Sequence, residues 1–234
     1  MAQLTLDLGQ RPALDREDFL VAPSNQTAVA WIDRWPDWPD WPGAALALYG
    51  PPGCGKTHLA QVWRAASGAR AIDPAALTRT APPELLGPSR AVLLDGLDAV
   101  LDGDQECERT VLHLYNMVVE RGGHLLLAGR GAPARWPIGL ADLRSRLAAA
   151  QAVELGAPDD ALIEAVLVKL FADRQLRVRA EVVRFLLARM ERSFAAARAL
   201  VDAIDRAALE SRREITVPLA REVLNNSKAG SSVE

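Results

Sequence analysis

The sequence is poor in the residues that most often announce chemistry or compartment by themselves. Its 234 residues include two cysteines, three histidines and three lysines. Two cysteines cannot form a disulfide framework, and Cys54 lies in a glycine-rich turn that a disulfide would obstruct, so a reducing, cytoplasmic setting is expected. The three histidines (His58, His113, His124) have no second ligand at a useful metal-binding spacing. No stretch approaches the roughly 20 apolar residues of a membrane span, and the N-terminus lacks the basic-then-apolar order of a signal peptide, so no membrane partner is expected. A net charge of −3 gives no global pull toward nucleic acid. Arginine is so much commoner than lysine that an isolated arginine says little. What is abundant is hydrophobic surface, half of all residues, enough for one α/β domain with a small appendage.

The scarcity of lysine gives weight to one of them. Gly50-Pro51-Pro52-Gly53-Cys54-Gly55-Lys56-Thr57 fits G-x-x-x-x-G-K-[ST], the phosphate-cradling P-loop. Ala45–Tyr49 reads as an apolar strand leading in, and Thr57-His58-Leu59-Ala60 opens a helix leading out. Glycines let backbone N–H groups turn onto phosphates, and the helix N-terminus adds its positive dipole end. Lys56 is then placed for the β- and γ-phosphates, and Thr57 for Mg²⁺. Ala91-Val92-Leu93-Leu94-Asp95 has the Walker-B pattern, a buried parallel strand delivering Asp95 to the same metal. Position 96 is glycine, where ATPases of this architecture usually place the acid that orients the attacking water. Asp98 is two residues farther on, with its carboxylate expected to point elsewhere. The strand 124–128 ends in Ala128-Gly129-Arg130, so the usual polar γ-phosphate sensor is missing or replaced.

The rest of the chain divides around these motifs. Residues 1–14 read as a flexible leader carrying Gln3-Leu4-Thr5-Leu6-Asp7-Leu8, whose alternating leucines suit either an edge strand or a peptide docking in extended form. Phe19-Leu20-Val21 precedes Ser24-Asn25, with Ser24 the expected N-cap of a helix reaching about Arg34. That segment either walls an adenine pocket or packs on the sheet. Trp35-Pro36-Asp37-Trp38-Pro39-Asp40-Trp41-Pro42 repeats every third residue and reads as an extended, polyproline-like connector. Its tryptophans either cover the adjacent sheet edge, the preferred reading, or meet a partner. A weak strand is expected at 69–72, a Pro-rich loop at 81–89, a helix at 105–120 and a last strand at 151–155. Between them Asp142–Leu147 forms a short helix whose Arg146 is either a solvated arginine or a finger reaching a neighbour's nucleotide. From Pro158 the pattern is helical only, with helices near 159–173, 179–190, 194–213 and 218–225. The domains are therefore a base at 15–157, an all-α lid at 158–227 and a disordered tail at 228–234.

A P-loop α/β base with a parallel sheet flanked by helices, followed by a small all-α lid, is the AAA+ layout. Phe19-Leu20-Val21…Ser24-Asn25, Gly55-Lys56-Thr57-His58-Leu59, Leu143-Arg144-Ser145-Arg146-Leu147 and Arg198-Ala199-Leu200…Asp205-Arg206 resemble the branch holding the replication initiator DnaA and the Hda family. The similarity runs from residue 15 to about residue 226. It implies a nucleotide site of Phe19, Leu20, Val21, Asn25, Gly50, Pro52, Gly53, Cys54, Gly55, Lys56, Thr57, His58 and Arg198, holding ADP or ATP with Mg²⁺ on Thr57 and Asp95. It also implies that Arg146 is an arginine finger acting in trans.

Three departures favour Hda over the initiator. The initiator continues into a helix-turn-helix domain where this chain stops, the acid beside Asp95 is lost, and a hexapeptide resembling the sliding-clamp-binding motif stands at the N-terminus. The Hda resemblance implies that Gln3, Leu4, Leu6 and Leu8 bind the clamp (the polymerase β subunit), with DNA met only through it, and that the partner is DnaA, whose ATP hydrolysis is stimulated to prevent re-initiation. The protein would then be cytoplasmic and nucleoid-associated through the clamp. A homo-oligomer stays open, because AAA+ neighbours are copies of self or of the partner. The competing readings are a self-sufficient AAA+ ATPase such as a helicase-loader-like remodeller, and a small-molecule P-loop kinase.

Overall fold

A computed structural model of the chain describes residues 19–38, 45–101, 103–211 and 213–230, with side chains to 226. Five parallel strands form the central sheet in the order β2-β3-β4-β1-β5. They are β1 (Ala45–Tyr49), β2 (Arg70–Ile72), β3 (Ala91–Asp95), β4 (His124–Gly129) and β5 (Gln151–Glu154). Side chains alternate across a strand, and here both faces are covered. Ala45, Ala47, Val92, Leu94, Leu125 and Leu127 enter one core with α3 (Pro82–Leu86), α4 (Gln105–Glu120) and α5 (Ala141–Ala148). Leu46, Leu48, Leu93, Leu126 and Val153 enter the other with α1 (Gln26–Asp33) and α2 (Lys56–Ser67). Burial on both faces explains why the strands read as unbroken apolar runs.

Helices α6 (Asp160–Asp173), α7 (Ala180–Leu187), α8 (Phe194–Ser211) and α9 (Val217–Gly230) close a third core of their own around Leu167, Phe171, Leu186, Val201 and Ile204. Asp159 caps α6 by accepting from the Leu162 N–H at 2.8 Å. Arg174 of the lid is largely buried and pairs with Asp202, fixing α6 to α8. Arg192 pairs with Asp160 at 2.5 and 3.2 Å. Among the described residues no helix is long and apolar enough to cross a membrane.

Several local expectations change. The N-cap position of α1 is Asn25, not Ser24. The Asn25 amide turns backward, accepting from the Ala22 N–H at 2.9 Å and donating to the Leu20 carbonyl at 3.0 Å. Ser24 instead lends its carbonyl to the Gly156 N–H at 2.8 Å, and its hydroxyl is buried without a hydrogen-bond partner. The Pro-rich loop contains the short helix α3, with proline at its start. Helix α9 runs to Gly230, three residues into the stretch expected to be disordered.

The tryptophan repeat is not extended over 35–38. The chain curls there, with the Asp37 N–H donating to the Arg34 carbonyl at 2.9 Å. Trp38 is buried and stacks on Trp63 of α2 with centroids 5.6 Å apart, and both Trp35 and Trp38 meet His124 edge-on. These rings cover α2 and the start of the interior strand β4, not a sheet edge. Aromatic burial outweighs the local preference of Trp-Pro for extension. Residues 39–42 of the repeat, and the hexapeptide with Gln3, Leu4, Leu6 and Leu8, lie outside the described residues.

Candidate functional site

The loop Gly50–Lys56 leaves the C-terminal end of β1 and turns into α2. Gly50, Gly53 and Gly55 all have positive φ. At Gly53 glycine is demanded twice: φ is +73°, and a Cβ would stand 2.4 Å from Ser193 Cβ. Lys56 Nζ donates to the carbonyls of Gly50 and Pro51, both at 2.8 Å, and lies 3.6 Å from Cys54 Sγ. The ammonium is thus held over the loop it would share with phosphates. Cys54 is buried, whereas Pro52 and Thr57 are exposed.

Phe19 is buried with its ring 5.2 Å from that of His58, edge-on. Leu20 is half-buried and Val21 is 53% exposed, so only the first of the apolar trio is core. The Gly156–Ser24 hydrogen bond fastens this entry segment to the exit of β5, as the Leu155 N–H to Tyr49 carbonyl bond at 2.7 Å fastens the start of the loop. The donor set fits a nucleotide: a run of left-handed glycines at a helix N-terminus, one lysine, a hydroxyl and a carboxylate. Thr57 and Asp95 are the residues that would hold Mg²⁺, an ion that keeps several waters of its own.

The lid reaches this loop directly. The Phe194 N–H donates to the Gly53 carbonyl at 3.1 Å, and a Cβ on Gly55 would lie 3.1 Å from the Phe194 ring. Ser193 and Phe194 were not legible as site residues, since nothing in the sequence links them to a loop so far away. Arg198 is four residues along α8 from Phe194, hence on the same helix face, and its side chain leans back toward the helix N-terminus. It is exposed and makes no hydrogen bond or ion pair among the described residues.

Strand β4 lies between β1 and β3, pairing Tyr49 with Gly129 and Asp95 with Ala128. Asp95 is therefore one strand removed from the loop. The next residue, Gly96, has φ +76°, with nothing within 4 Å of where a Cβ would be. Asp98 is engaged elsewhere: its Oδ2 accepts from the Arg130 N–H at 2.7 Å. A side chain on Gly129 would begin 2.8 Å from the Trp136 ring and 3.1 Å from that carboxylate, which accounts for the small residue there.

Arg146 sits on α5, on the sheet face opposite α2. Its Nε donates to Asp142 Oδ1 at 2.9 Å, and its guanidinium lies over the Tyr115 ring, 5.5 Å from the centroid. Burial pushes the Tyr115 phenol up, while the Arg146 cation and Asp142 anion act on it in opposite directions. The hydrogen bond and ring contact of Arg146 are thus both made with α5 and α4, and its side chain is 38% exposed. His113 is exposed on α4.

Residues 160–224 match the family model described as the lid domain of Hda. In fold, the chain is similar to domain III of the Thermotoga maritima replication initiation protein DnaA (TM-score 0.79, 18% identity, 92% of this chain and 97% of that one). It is also similar to AMPPCP-bound DnaA from Aquifex aeolicus (TM-score 0.70, 19% identity, 85% of this chain and 67% of that one). A third similar structure is the AAA domain of FIGL-1 in complex with ADP (TM-score 0.59, 16% identity, 77% and 70%). The latter two structures hold an adenine nucleotide or its analogue, and the parallel base with its helical lid is the AAA+ fold. The lid thus matches the Hda lid model, and base and lid together have a DnaA-like fold.

Proposed function

We propose that this protein is an adenine-nucleotide-binding regulator that holds ADP at its own P-loop and stimulates ATP hydrolysis by the initiator DnaA while bound to the sliding clamp. One contrast carries the reading. The loop has the groups for holding phosphates, yet among the described residues no carboxylate stands free beside Asp95 to activate water, because position 96 has no side chain and Asp98 is bonded to the Arg130 N–H. Meanwhile Arg146 is partly exposed on α5, on the sheet face opposite α2.

In this account Lys56 and the loop N–H groups bind the resident phosphates. Thr57 and Asp95 hold Mg²⁺, which supplies charge neutralisation at the phosphates. Arg198 approaches the nucleotide from the lid. Phe19, Leu20, Val21 and Asn25 form the base-side wall, and Gln3, Leu4, Leu6 and Leu8 anchor the chain to the clamp. On the partner, water attacks the γ-phosphorus, the bond to the bridging oxygen breaks, and ADP and phosphate leave. Arg146 offsets the charge that develops on the departing and equatorial oxygens, a contribution of about 10³–10⁵ in rate where such arginines have been measured.

The test is a reconstitution of ATP-loaded DnaA, DNA-loaded clamp and this protein. Arg146→Ala is expected to abolish stimulation while ADP affinity is unchanged, and stimulation undiminished by that change would refute the role. Replacing Gln3 and Leu6 by alanine is expected to remove clamp pull-down. Brisk hydrolysis by the purified chain alone would favour the self-sufficient ATPase instead.

A further inference from the structure

Among the described residues Glu108 is the one wholly buried carboxylate, with no accessible surface at all. It lies in the first turn of α4, and both oxygens are used: Oε1 accepts from the Gly139 N–H at 2.8 Å and Oε2 from the Leu140 N–H at 2.7 Å. Leu140 is the N-cap position of α5, and no side chain of α5 caps that end itself. A carboxylate from another helix therefore fixes where α5 begins, and its charge complements the positive end of the helix. Seven residues later, two turns along the same face of α4, Tyr115 lies under the guanidinium at the other end of α5.

Arg146 is consequently held from behind. Its Nε is tied to Asp142 and its flat face rests on an aromatic ring. The two terminal nitrogens make no hydrogen bond among the described residues. Those are the atoms that form the planar fork by which arginine grips phosphate oxygens. An arginine on a flexible stem normally loses considerable side-chain entropy when it is fixed. Here much of that loss is taken before any partner arrives.

We propose that Glu108 and Tyr115 are positioning residues for Arg146: Glu108 sets the register of α5, and Tyr115 directs the free fork of the guanidinium outward, toward a nucleoside triphosphate on a neighbouring molecule. This rests on the reading that Arg146 acts on a partner's nucleotide. It adds that α4 and α5 are one preorganised unit, so that rate and not affinity depends on Glu108 and Tyr115.

The experiment uses the full chain with ATP-loaded DnaA and DNA-loaded clamp, comparing Tyr115→Leu, Tyr115→Phe, Glu108→Gln and Arg146→Ala. Tyr115→Leu is expected to lower the maximal stimulated rate about tenfold, with the half-saturating concentration and ADP affinity unchanged, and Tyr115→Phe to restore it. Glu108→Gln, which points an amide N–H at one of two backbone donors, is expected to lower the same rate by a similar factor. A second readout does not involve turnover. In arginine-labelled protein the Arg146 side-chain protons are expected to carry an upfield ring-current shift that persists in Tyr115→Phe and disappears in Tyr115→Leu. Full stimulation by Tyr115→Leu alongside none by Arg146→Ala would overturn the positioning role and leave the finger intact. Full stimulation by Glu108→Gln would remove Glu108 from it. Undiminished stimulation by Arg146→Ala would overturn the underlying reading, and with it this one.

Discussion

The phosphate cradle and the Arg146 platform sit on opposite faces of one sheet and are built by opposite means. The cradle is backbone: eight consecutive residues, three glycines with positive φ, and a lysine folded over its own loop. The platform is side chain: a carboxylate and a ring from α4 hold α5, the carboxylate by N–H groups 31 and 32 residues beyond Glu108. A backbone device tolerates almost no added atoms, whereas a side-chain device degrades by degrees. The difference also separates two tasks, since a cradle encloses a ligand and a platform presents a charge.

Substitutions can break this contrast in a ranked way. The largest effect is expected at Gly50, where a Cβ would stand 2.1 Å from the Leu155 carbonyl oxygen. Gly50→Ala must move backbone and is expected to cost roughly 3 kcal/mol in chemical denaturation and to abolish nucleotide binding by titration calorimetry. Gly96→Ala meets nothing within 4 Å, so only its left-handed φ opposes the change. A loss of about 1 kcal/mol is expected, with nucleotide affinity retained.

Cys107 lies inside the platform helix, where burial first, and then Asp104 and Glu108, push its thiol up to about 11 from 9.0. Between those values the unfolded chain releases a proton that the folded chain keeps, so stability falls as pH rises through that window. Cys107→Ala is expected to flatten this alkaline slope in melts between pH 8 and 11; an unchanged slope would place its origin elsewhere. The smallest effect is expected for Asp142→Asn. It removes an exposed i,i+4 pair and should change stability by under about 0.5 kcal/mol. Stimulated hydrolysis should nevertheless fall measurably, because Arg146 loses the bond at its Nε.

What could be read from the sequence follows the same division. Strands β1 and β3, helix α2 and the four lid helices rest on local patterns, and the fold forms them where those patterns lie. Ser24 and Asn25 are both good capping residues, and the N-cap position falls to Asn25 while the Ser24 carbonyl accepts from the distant Gly156 N–H. Trp35-Pro36-Asp37-Trp38 misled because proline spacing is a local signal, while the ring that captures Trp38 belongs to α2. No local pattern marks Glu108 as buried; its burial depends on two N–H groups supplied from another part of the chain. Ser193 and Phe194 were hidden for the same reason. Each miss is a tertiary partner prevailing over a local preference.

The placement of the tryptophans has a practical consequence. All six precede residue 137; Trp35 and Trp38 meet His124 at the start of β4, and Trp63 packs against both indoles. The lid has no indole, yet contributes four helices and a separate core. Near-ultraviolet emission will therefore follow only the melting of the sheet and its helices, while far-ultraviolet ellipticity will weigh the lid heavily. Recording both on one sample turns two ordinary optical signals into separate clocks, one for each half of the molecule.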